Sequence, residues 1–313
     1  MLKYLVRRLL MTVPTFLIVA TVVFTLMRLV PGDPAAVMVG DLDDPTVLED
    51  VRKQLGLNEP LLTQFGIWID NVLHGELGTS IMTGEEVLPA MLDRLGVTAQ
   101  IVLASIVLAI LIAIPVGLFA AWRQNRKSDV ITMFLVILGV SVPSFWVGIL
   151  LILFFGVELN WLPTIGYVSV TDNFAQGIRY LILPVTALLL GEMASLARMM
   201  RSSTIEVLRL EYIAHARAKG LPEHTVLWRH ALPNAFAPVL TVLGLMLGHL
   251  LGGAVVIETV FTLPGLGRFL VDGIYARDYP VVQGTLLLVA AIYVVTNLIV
   301  DLLYPIFDPR VRL

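Results

Sequence analysis

No cysteine occurs among the 313 residues, which removes disulfide frameworks, thiolate metal sites and cysteine nucleophiles together. With no thiols to pair, cysteine usage carries no information about compartment. Charge is scarce as well: 14% of residues are charged, against about 25% in an ordinary soluble domain. The apolar share is 58% and the mean hydropathy +0.88. A soluble fold of that composition would need a core too large for its remaining polar residues to cover, and too few charges remain to keep a disordered chain solvated. A net charge of −3 is too balanced to point to nucleic acid. The chain therefore reads as an all-α polytopic membrane protein.

Catalytic signatures are missing too. The five histidines fall in no HExxH metal pattern, no GxxxxGK[ST] phosphate loop occurs, and no GxSxG elbow is present. Ser141 and His249 could be forced into an intramembrane serine-protease pair, but nothing in the sequence supplies an oxyanion donor. His249 reads first as a helix-packing imidazole bonded to a neighbouring helix, and second as a pathway-lining group. The GxG within Leu263–Leu270 reads better as a turn between spans than as a phosphate loop.

What is present is a series of long apolar runs. About 20 apolar residues cross a hydrocarbon core roughly 30 Å thick. Six stretches meet that length or approach it: Leu9 to Val30, Val97 to Trp122, Val130 to Val157, Tyr180 to Ala197, Ala235 to Ile257 and Val281 to Tyr304. The third contains Pro143 beside Ser141 and Ser144, and a kink is expected there. The basic N-terminus is followed by an apolar run too long for a cleaved leader, so the first helix is expected to be retained. Placing the N-terminus inside leaves 14 basic residues in 59 inner positions and 6 in 111 outer ones. That asymmetry obeys the positive-inside rule and sets both termini in the cytoplasm.

Five ionisable residues lie in or beside spans: Arg28, Glu192, Arg198, Glu258 and Asp301. Four sit near helix ends, where snorkelling relieves the cost of burial. Glu192 alone is placed deep enough to demand a partner or a water-filled path. With His249, it is the feature that would serve a proton-coupled secondary transporter, the alternative reading. No internal inverted repeat, the mark of many such carriers, is visible.

Two polar segments stand out. The outer one, 31–96, holds twelve acidic and three basic residues and contains helical-looking pieces, DPTVLEDVRKQLG and FGIWIDNVL. The inner one, 198–232, has helical character from Ser203 to Lys219, a stop at Gly220 and Pro222, and a second short helix from His224 to Leu232. A solvated loop of ordinary helical propensity would read similarly. The more specific reading is a helix–turn–helix with small Ala214, Ala216 and Ala218 for close approach by a partner and Glu211, Arg217 and Lys219 for polar attachment.

This segment resembles the signature of ABC importer permeases, E-A-A, three residues, G, nine residues, I, one residue, L-P. Ala214-His215-Ala216, Gly220, His230 and Leu232-Pro233 fall at those spacings. Ala214 replaces the glutamate, His215 the first alanine and His230 the isoleucine. The string Tyr212 to Gly220 looks like the variant of the dipeptide/oligopeptide/nickel branch. PGDP (31–34), QLGL (54–57), HGELGTS (74–80), LPGLGR (263–268), RDYPVVQG (277–284) and the closing VDLLYPIFDPRVR fit the same branch. The stretch VELNWLPTIG looks most like the glutathione and peptide members.

The resemblance implies a type I importer permease in the bacterial cytoplasmic (inner) membrane, with six transmembrane helices. It would carry no catalytic residue and no cofactor, with ATP and magnesium held on partner ATPases. Its implied partners are a second homologous permease, two ATP-binding subunits, an extracytoplasmic solute-binding protein and membrane lipid. Glu211, Tyr212, Ala214, His215, Ala216, Arg217, Lys219, Gly220 and Leu221 would form the ATPase-coupling helix, with Glu211 able to stand in for the missing glutamate. Ser141, Pro143, Glu192, His249 and Glu258 are the pathway candidates. The chain then divides into an N-terminal transmembrane helix (1–30), an extracytoplasmic segment (31–96), a five-helix core (97–304) holding the coupling segment 198–233, and a cytoplasmic tail (305–313).

Overall fold

A computed structural model describes residues 2–29, 35–36, 45–54 and 56–307. The PGDP string, Leu55 of QLGL and the last five residues of the closing string lie outside the described residues. The elements are α1 (Leu2–Leu29), α2 (Pro45–Gln54), α3 (Leu61–His74), α4 (Val87–Trp122), α5 (Lys127–Ser141) and α6 (Ser144–Leu151), which runs on as a π-helix, Ile152–Glu158. They continue with α7 (Phe174–Leu208), α8 (Glu211–Ala218), α9 (Leu232–Val260), α10 (Leu266–Ala276) and α11 (Tyr279–Phe307). A helical turn, Glu223–Thr225, and a π-helical stretch, Val226–Ala231, lead into α9.

Five helical stretches are long and apolar enough to cross a membrane, and the pair α5–α6 makes a sixth when counted as one span. That pair is bent by 94°, so the expected kink at Pro143 is a break. A residue preceding proline is pushed out of the helical region; Val142 accordingly adopts φ −105°, ψ 125°, and Pro143 caps the new helix with φ −60°, ψ 137°. Within the 44–56 piece of the acidic segment residues 45–54 form α2, and the 65–73 piece forms most of α3.

The core is the packing of α7 against α4, with α9 next. Water cannot drive helices together inside a bilayer, so close backbone approach through small residues does much of the work. On α4 the buried positions Ser105, Ala109, Ala113, Gly117 and Ala121 recur every four residues, which puts them on one face. Opposite stand buried Ala197 and Met200 of α7, while Ala187 and Ala194 of the same helix lie against Gly148 of α6 and Gly139 of α5. A Cβ at Gly117 would lie 2.6 Å from Met200 Cβ and 2.8 Å from the Ala197 carbonyl, so the crossing requires glycine there. Helix α1 packs on α11, and α10 lodges against α9, α11 and α4.

Candidate functional site

The α7–α9 connection is built by two local stops. Helix α7 ends where Arg209 and Leu210 N–H groups donate back to Glu206 and Val207 carbonyls, and Leu210 turns extended at ψ 146°. Helix α8 then runs only from Glu211 to Ala218, so the helix expected from Ser203 to Lys219 is two pieces meeting at a corner. Its far end closes as a Schellman motif: Leu221 N–H donates to Ala216 O at 3.4 Å, Gly220 N–H to Arg217 O at 2.9 Å. Gly220 takes φ +78°, a region open to glycine at little cost.

Ile213 and Ala216, three apart, are buried in the core, and half-buried Leu221 packs against it. This turns Ala216 inward, away from any partner, contrary to the close-approach role expected of it. Glu211, Tyr212, Ala214, His215, Arg217, Ala218, Lys219 and Gly220 are exposed. Tyr212 donates its hydroxyl to the His230 carbonyl at 3.3 Å, tying α8 to the π-helical stretch that leads into α9, and partial desolvation pushes its phenol pKa up. Arg217 grips Glu223 through two bonds, 2.8 and 3.2 Å, across the Gly220 bend. That ion pair spans the corner in place of the one expected from Glu211, which has no ion-pair partner among the described residues.

At the same end, Arg201 of α7 makes a bidentate pair with Asp129 of α5 at 2.7 and 2.6 Å. Asp129 is buried and also accepts from the Asn125 N–H at 3.0 Å. Two residues 72 apart give no sequence signal for this clamp beyond the charges themselves.

The pathway candidates separate. Ser141 donates to the Ile137 carbonyl of its own helix at 2.9 Å, and no bond joins it to His249. Glu192 and His249 do face each other across α7 and α9, with Oε1 and Nδ1 3.9 Å apart. The His249 side chain is 86% exposed in this chain, so it is not the packed imidazole expected, and it lines a cavity of about 750 Å3 between α1, α9, α10 and α11. Glu258 is the larger correction. Placed near a helix end and read as snorkelling, it is fully buried. Its carboxylate accepts from Thr98 Oγ1 at 2.5 Å, from Arg268 N–H at 3.0 Å and from the Gly267 N–H. Thr98 Oγ1 in turn accepts from Leu266 N–H at 2.9 Å. The first-turn amides of α10 therefore all end on this pair, as a carboxylate at a helix N-terminus favours. A Cβ on Gly265 would overlap the carboxyl, which gives the GxG of LPGLGR its physical reason.

The remaining strings interlock beside it. Ser80 of HGELGTS donates to Asp278 of RDYPVVQG at 2.5 Å, Gly78 lies against Pro280, and Gly284 against Val87 and Leu77. No cluster of three or more metal-ligating side chains occurs among the described residues.

A bundle of apolar helices with a helix–turn–helix at one end is the architecture of a multi-pass membrane protein. The chain belongs to the family "Binding-protein-dependent transport system inner membrane component", which matches residues 113–313, with the family's N-terminal region matching 1–104. It is a multi-pass permease subunit of a bacterial inner-membrane ABC transport system, not an enzyme, with the type I importer permease fold. A Brucella abortus (strain 2308) protein described as a peptide transport system permease is 45% identical over 98% of both chains. The dipeptide transport system permease of Alkalihalophilus pseudofirmus is 40% identical over 100% of both. The glutathione transport system permease of Escherichia coli O6:H1 is 41% identical, covering 100% of this chain and 99% of that one. Among solved structures, a crystal structure of an amino acid ABC transporter with histidines aligns with TM-score 0.46 at 20% identity, over 71% of this chain and 94% of that one.

Proposed function

We propose that this chain is one of two permease subunits of an ATP-driven, binding-protein-dependent importer of small peptides, whether dipeptides, oligopeptides or glutathione. Both termini and the 305–313 tail lie in the cytoplasm, as does α8, while 31–96 lies outside and α10 faces outward. A second homologous permease completes the pathway, two ATPases carry ATP and magnesium, and a soluble binding protein delivers substrate to the outer end.

The observation that carries this reading is the corner at 208–221. Ile213 and Ala216 root α8 in the core, while exposed Ala214, His215 and Lys219 leave its opposite side open to another protein. A rigidly footed helix transmits displacement, so closure of the ATPases pushes on α8 and through it on α7 and α9. ATP and substrate must then favour different states of the pathway for transport to alternate. Purification should recover this chain with a second permease and two ATPases. Uptake by this chain alone in liposomes without ATP would make it a secondary carrier and end the proposal.

The Glu192–His249 pair favours a second reading, proton-coupled transport. Under it, Glu192→Gln abolishes transport and shifts its pH dependence; under the proposal, ATP-dependent uptake persists in that variant.

A further inference from the structure

The end of α1 carries a second site. Arg28, on the last turn of a 20-residue apolar span, and Tyr279, at the start of α11, border a cavity of about 450 Å3 closed by α3. Among the described residues, three buried polar atoms at this cavity have no hydrogen-bond partner: Arg28 Nε, Gln64 Oε1 and Tyr279 OH. Tyr279 is 6% exposed and Gln64 8%, so water does not freely satisfy them. Gln64 is held by its amide nitrogen, which donates to the Leu57 and Glu59 carbonyls at 3.1 and 2.8 Å, leaving Oε1 as a fixed acceptor. Lys53, Glu59 and Glu76 also line the cavity and are exposed. The lining thus offers Arg28 and Lys53 to an anion, and Gln64 Oε1 with the two glutamates to a hydrogen-bonding cation.

Location chooses the source. A helix advances 1.5 Å per residue, so the end of a 20-residue span stands at headgroup depth. Helix α3, which closes the cavity, exposes Leu61, Leu62, Ile67 and Leu73 and packs Phe65 edge-on and Trp68 tilted against Phe24 of α1. Exposed leucines beside an inward tryptophan are what a helix lying in the interface presents.

We infer that this cavity binds the headgroup of a zwitterionic phospholipid with a primary ammonium. The phosphodiester sits against Arg28, Lys53 and the Tyr279 hydroxyl, and the ammonium donates to Gln64 Oε1. A trimethylammonium has no N–H to give that acceptor, so phosphatidylethanolamine is held and phosphatidylcholine is not. The acyl chains then run down the exposed face of α1.

The test is native mass spectrometry of the assembled transporter released from nanodiscs of equal phosphatidylethanolamine, phosphatidylglycerol and phosphatidylcholine. The expected result is retained phosphatidylethanolamine in about tenfold preference over phosphatidylcholine, its retention lowered about tenfold by Tyr279→Phe and by Gln64→Leu, with the preference lost only in Gln64→Leu. Tyr279→Phe keeps the ring and its packing, so its loss reads the hydroxyl rather than the fold. Equal retention of phosphatidylcholine, preference for phosphatidylglycerol, no retained lipid, or variants that retain lipid unchanged would each overturn the assignment. So would displacement of the lipid by soluble phosphoethanolamine or a dipeptide, which would make the site one for a soluble ligand.

Discussion

Replacing Gly220 isolates the bend from its surroundings. A Cβ there would meet nothing within 4 Å, so Gly220→Ala adds no clash. Its whole effect comes from holding φ +78° with a side chain present. Left-handed backbone costs an L-residue about 1–2 kcal/mol. That cost is applied where α8 ends, opposing the 2.9 Å and 3.4 Å bonds that close the Schellman motif. If α8 transmits ATPase closure, this strain depopulates its seated orientation by roughly 5- to 30-fold. Asparagine tolerates the same region better, and Gly220→Asn should lose less. Proline cannot reach positive φ and lacks the N–H given to Arg217, so Gly220→Pro should lose most. The assay is binding-protein-stimulated ATPase activity alongside uptake in proteoliposomes of the assembled transporter. The order wild type, Asn, Ala, Pro should appear in uptake per ATP, with membrane insertion equal throughout. Unchanged coupling in the proline variant, or equal losses in all three, would refute the argument from the bend.

Apolar runs made the spans legible, because a bilayer imposes a length that few other constraints imitate. Their ends were less so. Helix α4 begins at Val87, ten residues before the expected Val97, since Asp93 and Arg94 end the apolar run without ending the helix. Pro143 announced a disturbance, but whether a helix bends or breaks depends on Val142 finding extended backbone, which composition does not reveal. Of the candidate site, the Gly220 stop followed from residue type alone. The inward turn of Ala216 could have been found from its three-residue spacing to Ile213. Glu258 could not, because position along a helix says nothing of which side a carboxylate faces, and its partner Thr98 is 160 residues away. Asp129 and Arg201 were hidden for the same reason. The facing of Glu192 and His249 likewise needed the packing of α7 on α9.

Three further outcomes follow from the packing. Glu258→Ala leaves the Thr98 hydroxyl and the Gly267 and Arg268 amides without an acceptor and should destabilise by about 3–5 kcal/mol, read as a lower thermal midpoint in detergent; an unshifted midpoint would contradict the burial. Arg201→Ala strands buried Asp129 and should cost about as much, whereas the double variant Asp129→Asn, Arg201→Ala should recover a measurable part of it. Gly117→Ala forces a methyl into Met200 and the Ala197 carbonyl, costing about 1–3 kcal/mol in the same melt; Gly252→Ala on α9, where a Cβ meets nothing within 4 Å, should not.

The absence of cysteine makes the central claim directly measurable. A single thiol at His215→Cys or Lys219→Cys, carrying a photo-activated cross-linker, should capture an ATP-binding subunit in the assembled transporter. The same label at Leu62→Cys on α3, at the other end of α1, should not. Capture of the ATPase from α3, or none from either position on α8, would contradict the account.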